Sequence, residues 1–193
     1  MNNKLKFYDE FGYNDEISAI ELDKLVTEVV QLLRLQNKTI ATAESCTGGL
    51  IAQLLTSVSG ASEIFEYGFV TYSEIAKILL LDPENTSLCS VINACGVVSM
   101  DTAKEMSFCL MQRVGADIYV SVTGCAGPNV TTLPNGEEQR VGEVYVGFTV
   151  VEERPVTFVR LLKLWEFEDI SRNAIRNNTA KYIFYQLRNI LSY

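Results

Sequence analysis

Two hydrophobic periods alternate along this chain, and the alternation restricts the fold more than any single motif does. Ile20, Leu22, Leu25, Val26, Val29, Val30, Leu32 and Leu33 recur at helical spacing, which predicts an amphipathic helix opening near Ile17. Residues 39–43 (Thr-Ile-Ala-Thr-Ala) read as a short strand, and residues 50–56 as a helix closed by the polar segment 57–60. Residues 65–73 carry the β-rich run Gly68-Phe69-Val70-Thr71-Tyr72, followed by a helix over 74–81 that stops at Asp82-Pro83. A helix over 99–113 has Ser99 as N-cap and Gly115 just past its end. Residues 118–122 form a buried strand by composition, 142–151 and 156–165 a strand pair around 152–155, and 170–191 a closing helix. No repeat or Pro/Gly-rich linker divides the pattern. One α/β domain over 17–193 follows, preceded by a polar lead-in over 1–16.

Composition enters where chemistry is at stake. The chain contains no histidine. That excludes a Ser-His-Asp triad, a Cys-His dyad and every histidine zinc site. Acid–base chemistry must use a carboxylate, tyrosine, cysteine or lysine of shifted pKa. A net charge of -8 argues against nucleic-acid and anionic-membrane partners, which need positive fields. No apolar run of about 18 residues occurs, so no membrane span is expected, and the start has no signal-peptide core. Cys46, Cys89, Cys95, Cys109 and Cys125 form no CxxC pair and read as free thiols of a reducing cytoplasm. No metal or cofactor is expected.

Two strand-to-loop junctions could carry chemistry. Residues 44–49 (Glu-Ser-Cys-Thr-Gly-Gly) end a strand and open a helix, where a hydroxyl meets unpaired amides and the positive end of the macrodipole. Such a turn suits an anion site or a nucleophile with a backbone oxyanion hole. Equally, Ser45 or Thr47 is a plain N-cap and Gly48 and Gly49 permit tight packing. Residues 124–128 (Gly-Cys-Ala-Gly-Pro) make a second turn of this kind. Taken alone, Lys77 reads as a solvated helix lysine, Cys46 as a packing residue, and Glu44 as an orienting group or an anion at a helix start.

AESCTGG, FEYGFVTYSEIAK, GVVS, SVTGCAGP and VGEVYVGF occur in that order, and together they closely resemble the C-terminal domain family of the competence/damage-inducible protein CinA. The resemblance covers residues 22–191. It implies a nicotinamide-nucleotide amidase that converts nicotinamide mononucleotide to nicotinic acid mononucleotide and ammonia. The chain is similar to the stand-alone form, without the preceding nucleotide-hydrolysing domain of longer relatives. The matching positions imply Ser45 as nucleophile with Tyr72 and Lys77 as activating groups, a histidine-free arrangement. Oxyanion or substrate contacts fall to Glu44, Cys46, Thr47, Gly48, Gly49, Gly124, Ala126 and Gly127. An anionic substrate entering a chain of charge -8 needs a local basic set, for which Lys77, Arg140, Arg172 and Arg176 are the candidates, although Arg172 and Arg176, one turn apart, equally read as a solvated helix face. The chain departs from the family pattern at Asn129 to Thr132, at Gln139-Arg140, at Ile170-Ser171 and at Glu74-Ile75. The expected architecture is a single three-layer α/β/α sandwich around a mixed β-sheet. The resemblance also implies a cytoplasmic homodimer or larger homo-oligomer.

Overall fold

The structure, a computed structural model, describes residues 17, 19–132 and 136–192. The lead-in 1–16 and the Pro134-Asn135 tip of the polar loop lie outside the described residues. The elements are α1 (Leu22–Leu35), β1 (Ile40–Glu44), α2 (Leu50–Thr56), β2 (Phe65–Val70), α3 (Glu74–Leu81), α4 (Leu88–Cys95), α5 (Met100–Arg113), β3 (Ile118–Gly124), β4 (Thr131–Thr132), β5 (Glu138–Gln139), β6 (Glu143–Val150), β7 (Val156–Lys163) and α6 (Arg172–Leu191).

Five strands join in the order β2-β1-β3-β6-β7, and β4 and β5 form a separate small ribbon. β1 runs parallel to β2 and β3, whereas β3–β6 and β6–β7 are antiparallel, so the sheet is mixed. Alternation along β3 sends Ile118, Val120 and Val122 to one core and Tyr119 to the other. On the first side, α1, α2 and α6 contribute Leu25, Val29, Ile51, Leu55, Ile183 and Phe184. On the second, α3, α4 and α5 contribute Leu81, Leu88, Ile92, Met106 and Leu110. The expected three-layer α/β/α sandwich results.

Two local features go beyond what the apolar spacing specifies. The stretch after Pro83 holds a helix, α4, that apolar periodicity did not expose. Asp82 nucleates it: its carboxylate accepts from the amides of Thr86, Ser87 and Leu88. Those bonds outweigh the opposing effect of burial and hold the Asp82 carboxyl at about 2. At the end of α5 the stop is Val114 in extended conformation, not a left-handed Gly115, because Val114 packs into the second core. The polar loop also forms a two-residue hairpin, with Thr131 opposite Gln139.

α5 lies unusually close to the sheet at Gly147 of β6. A Cβ there would come within 2.5 Å of both the Ala103 carbonyl oxygen and the Ser121 Oγ that donates to it. Gly147→Ala is therefore expected to cost about 2 kcal/mol by overpacking. Thermal denaturation followed by circular dichroism checks it, and an unchanged melting curve would mean that α5 can slide.

Candidate active site

β1, β2 and β3 all end on the same edge of the sheet, at Glu44, Val70 and Gly124. Beyond β1 the chain turns to α2 on the first face, and beyond β2 to α3 on the second. β1 connects toward β2 while β3 connects toward β6, so the chain diverges on either side of the β1–β3 line. Ligands of α/β sheets bind in such a crevice. A cavity of about 360 Å³ opens here, a size that admits a small molecule. Ser45, Cys46, Tyr72, Lys77, Gly124, Ala126, Gly127 and Arg172 line it.

Hydrogen bonds to the neighbouring strands carry Ser45 to this edge. Its amide donates to the Val122 carbonyl at 3.0 Å, and the Thr71 amide donates to the Glu44 carbonyl at 2.7 Å. The following turn needs two left-handed residues, and Gly48 and Gly49 supply them with φ of 60° and 89°. The start of α2 is not available to a ligand. The carboxylate of buried Glu44 accepts from the amides of Ile51 and Ala52 at 3.1 and 2.9 Å. Neither Ser45 nor Thr47 caps the helix; its N-cap is Gly49. Glu44 is thus the anion at the helix start, and it locks the serine turn to β1. Among the amides expected to serve an oxyanion, that of Gly48 donates to the Ser45 carbonyl at 2.9 Å. Those of Cys46 and Thr47 meet no backbone acceptor among the described residues.

Lys77 does not face solvent, contrary to its appearance in sequence. It is 2% exposed, and its Nζ donates to Ser45 Oγ at 2.9 Å and to the Thr71 carbonyl at 3.0 Å. Burial drives the ammonium down from 10.5 to about 8, against the upward pull of Cys46 and Glu74. Desolvation disfavours the charged form, so a lysine without a carboxylate partner at Nζ becomes a usable base. Burial also pushes the Cys46 thiol up to about 12, more strongly than nearby Lys77 lowers it. Cys46 therefore stays protonated beside the serine.

The basic set converges only in part. Arg172, at the first position of α6, lines the cavity; it donates to the Tyr72 hydroxyl at 3.3 Å and to the Gly127 carbonyl. Tyr72 is 59% exposed at the cavity rim, and no hydrogen bond joins it to Ser45 or Lys77 among the described residues. Arg176, one turn further on, directs its guanidinium onto the Thr47 carbonyl through Nε and Nη2 at 3.1 and 2.9 Å. It braces the serine turn and is not free for a phosphate. Arg140 is exposed and stacks over Trp165, 5.5 Å from the ring centre, away from the cavity. The need for a local basic set suggested Arg140; the indole face claims it instead.

Several wall residues lie in or beside the quoted motifs but were not among the expected site residues. Glu74, Val97, Val98, Cys125, Pro128 and Asn129 also line the cavity. Gln139, buried, donates its Nε2 to the Val98 carbonyl and so ties the polar loop to that wall. A glutamine on a polar loop carries no outward sign of burial, whereas the Asp82–Ser87 turn could have revealed α4 and with it Val97 and Val98. All five cysteines are unpaired. Among the described residues, no group of three or more potential metal ligands assembles and no helix is long and apolar enough to cross a membrane.

Comparisons with known proteins agree with this geometry. The profile of the CinA C-terminal domain matches residues 22–191. The chain is 38% identical over 175 residues to a provisionally named competence-damage inducible protein of Caldanaerobacter subterraneus subsp. tengcongensis, covering 91% of this chain and 39% of that protein. It is 39% identical over 166 residues to a CinA-like protein of Kosmotoga olearia, covering 86% of this chain and 37% of that one. The chain thus spans well under half the length of these relatives. Among solved structures, competence/damage inducible protein CihA of Agrobacterium tumefaciens superposes with a TM-score of 0.75 at 28% identity, covering 95% of this chain and 99% of that one. By domain profile, sequence and fold alike, this chain belongs to the CinA C-terminal domain family.

Proposed function

We propose that the chain is an amidohydrolase that converts nicotinamide mononucleotide to nicotinic acid mononucleotide and ammonia through a serine acyl-enzyme. The observation that carries this reading is the buried Lys77–Ser45 contact at 2.9 Å, with the lysine lowered to about 8. In its neutral form Lys77 accepts the Ser45 proton as Oγ attacks the carboxamide carbon. The Cys46 and Thr47 amides receive the developing oxyanion, each donor being worth about 3 kcal/mol in sites of this kind. Lys77 then delivers the proton to the departing nitrogen and ammonia leaves. Water adds to the acyl carbon, Lys77 takes its proton, and Ser45 Oγ departs with that proton to leave a carboxylate. Arg172 and Tyr72 stand at the rim, where they hold the substrate's ribose-phosphate end. The unpaired thiols suit a cytoplasmic enzyme.

One observation favours a second reading, an amidase for a different amide: of the three arginines proposed for the phosphate, only Arg172 lines the cavity. Ammonia release from nicotinamide mononucleotide, nicotinamide riboside and free nicotinamide separates the two. The mononucleotide is expected to be preferred at least tenfold, and Arg172→Met to erase that preference by raising KM more than it lowers kcat. Equal rates on all three, or release from none while another amide is cleaved, would favour the second reading.

A further inference from the structure

With Lys77 neutral, the cavity wall carries one charge of each sign. Arg172 supplies the positive one and Glu74, the first residue of α3, the negative one. A carboxylate is not required there to cap the helix, because the Ser73 hydroxyl already accepts from the Ala76 amide at 3.1 Å. Among the described residues the Glu74 carboxylate enters no hydrogen bond and no salt bridge. Its field nevertheless reaches the site, where it opposes the lowering of Lys77 that burial imposes.

An unpartnered carboxylate on this wall works against a phosphate. A phosphate monoester drawn to Arg172 also meets Glu74, and juxtaposed like charges weaken binding. The carboxylate favours binding only where the ligand brings a cation to it. The mononucleotide proposed above does so, since its ring nitrogen is quaternary and bears the ribose. Three lining residues follow one another from floor to rim: Lys77 is buried, while Glu74 and Tyr72 are exposed. Glu74 precedes Lys77 by three residues, a spacing that sets Cβ atoms about 5–6 Å apart on one side of a helix. Carboxamide, cationic ring nitrogen and ribose-phosphate follow one another in the ligand in the same order, and Arg172 bonds Tyr72 at the far end.

We propose that Glu74 is a specificity-determining residue whose carboxylate faces the cationic ring of the substrate and selects a pyridinium amide over one with a neutral ring. The inference rests on the amidase reading and deepens it to a substrate class, zwitterions with the positive charge on the ring and the negative charge beyond it. Glu74 and Arg172 then act as a pair. The arginine admits the phosphate, and the carboxylate penalises any anion that arrives without the compensating ring charge.

Titration calorimetry on the full chain carrying Ser45→Ala, which binds without turnover, tests this. The ligands are nicotinamide mononucleotide and its dihydro form, which keeps the carboxamide, ribose and phosphate but has a neutral ring. Adding Glu74→Gln is expected to weaken binding of the cationic form about fivefold, near the upper limit for a solvent-accessible ion pair. The dihydro form is expected to change by less than about twofold, so the preference for the cation collapses. Both ligands present the same amide to Lys77, so any effect of the substitution on that lysine cancels in the comparison. Circular dichroism checks that the variants remain folded. An equal loss for both ligands, which would assign Glu74 to the ribose hydroxyls or to structure, overturns the proposal, as does no loss for either. In both cases the amidase reading stands. Binding of neither ligand by the Ser45→Ala chain would remove the two together.

Discussion

Ser45→Ala is expected to reduce ammonia release by about 10⁴-fold or more, because nucleophile and base act as a unit and loss of either removes the covalent route. Cys46→Ala is expected to retain most activity. The neighbouring thiol is the obvious rival nucleophile, but burial holds it at about 12 and so leaves almost no thiolate near neutrality. A steady-state assay on the two variants discriminates between them. If Cys46→Ala were the silent protein and Ser45→Ala the active one, the mechanism would have to be rebuilt on the thiol. Ser45→Ala leaves Lys77 Nζ its bond to the Thr71 carbonyl, so the buried amine keeps an acceptor and the fold should tolerate the change.

Lys77→Met is expected to act in opposite directions on activity and on stability. Activity should fall by about 10³-fold or more, since among the described residues no other side chain hydrogen-bonds Ser45 Oγ to take its proton. Stability should rise. The lysine titrates at about 8 in the folded chain against 10.5 ordinarily, a gap worth about 3 kcal/mol near neutral pH. Methionine forfeits the contacts with the Thr71 carbonyl and Ser45 Oγ, at a cost of about 1 kcal/mol each. The balance favours the variant by about 1 kcal/mol, or a few degrees in Tm for a chain of this length.

The pH dependence of both effects has a defined sign. Unfolding takes up a proton between pH 8 and pH 10.5, so wild-type stability rises with pH across that window. The variant's advantage should be constant below pH 8 and should shrink above it. The wild-type rate should climb with pH through about 8 as Lys77 becomes neutral. Thermal melts and kcat/KM over the same pH series test both. A rate independent of pH between about 6 and 9 would remove Lys77 from the proton's path.

Legibility from sequence divided along physical lines. Elements whose burial follows from their own period were readable: α1, β3, the β6–β7 pair and α6 all stand within a few residues of where apolar spacing placed them. α4 was not, because its start depends on Asp82 folding back onto three amides, a local hydrogen-bond choice that hydrophobic spacing does not encode. At the site, Ser45 stood out through its strand-turn-helix context, and Tyr72 and Lys77 through the family motif. The arginines divided by the partners they met. Arg172 reaches the cavity, whereas the Thr47 carbonyl engages Arg176 and Trp165 engages Arg140.

The sequence by itself determined the class of fold, the family, and that any acid–base chemistry must proceed without histidine, because periodicity, motif order and composition are properties of the chain. Tertiary structure alone decided the state of Lys77. The same side chain on an open helix would be a charged and inert ammonium. Only the closure of α3 over the ends of β1 and β2 strips its water, lowers it toward neutrality and sets it 2.9 Å from Ser45. Solvation depends on where the rest of the chain lies, and no local stretch of residues specifies that.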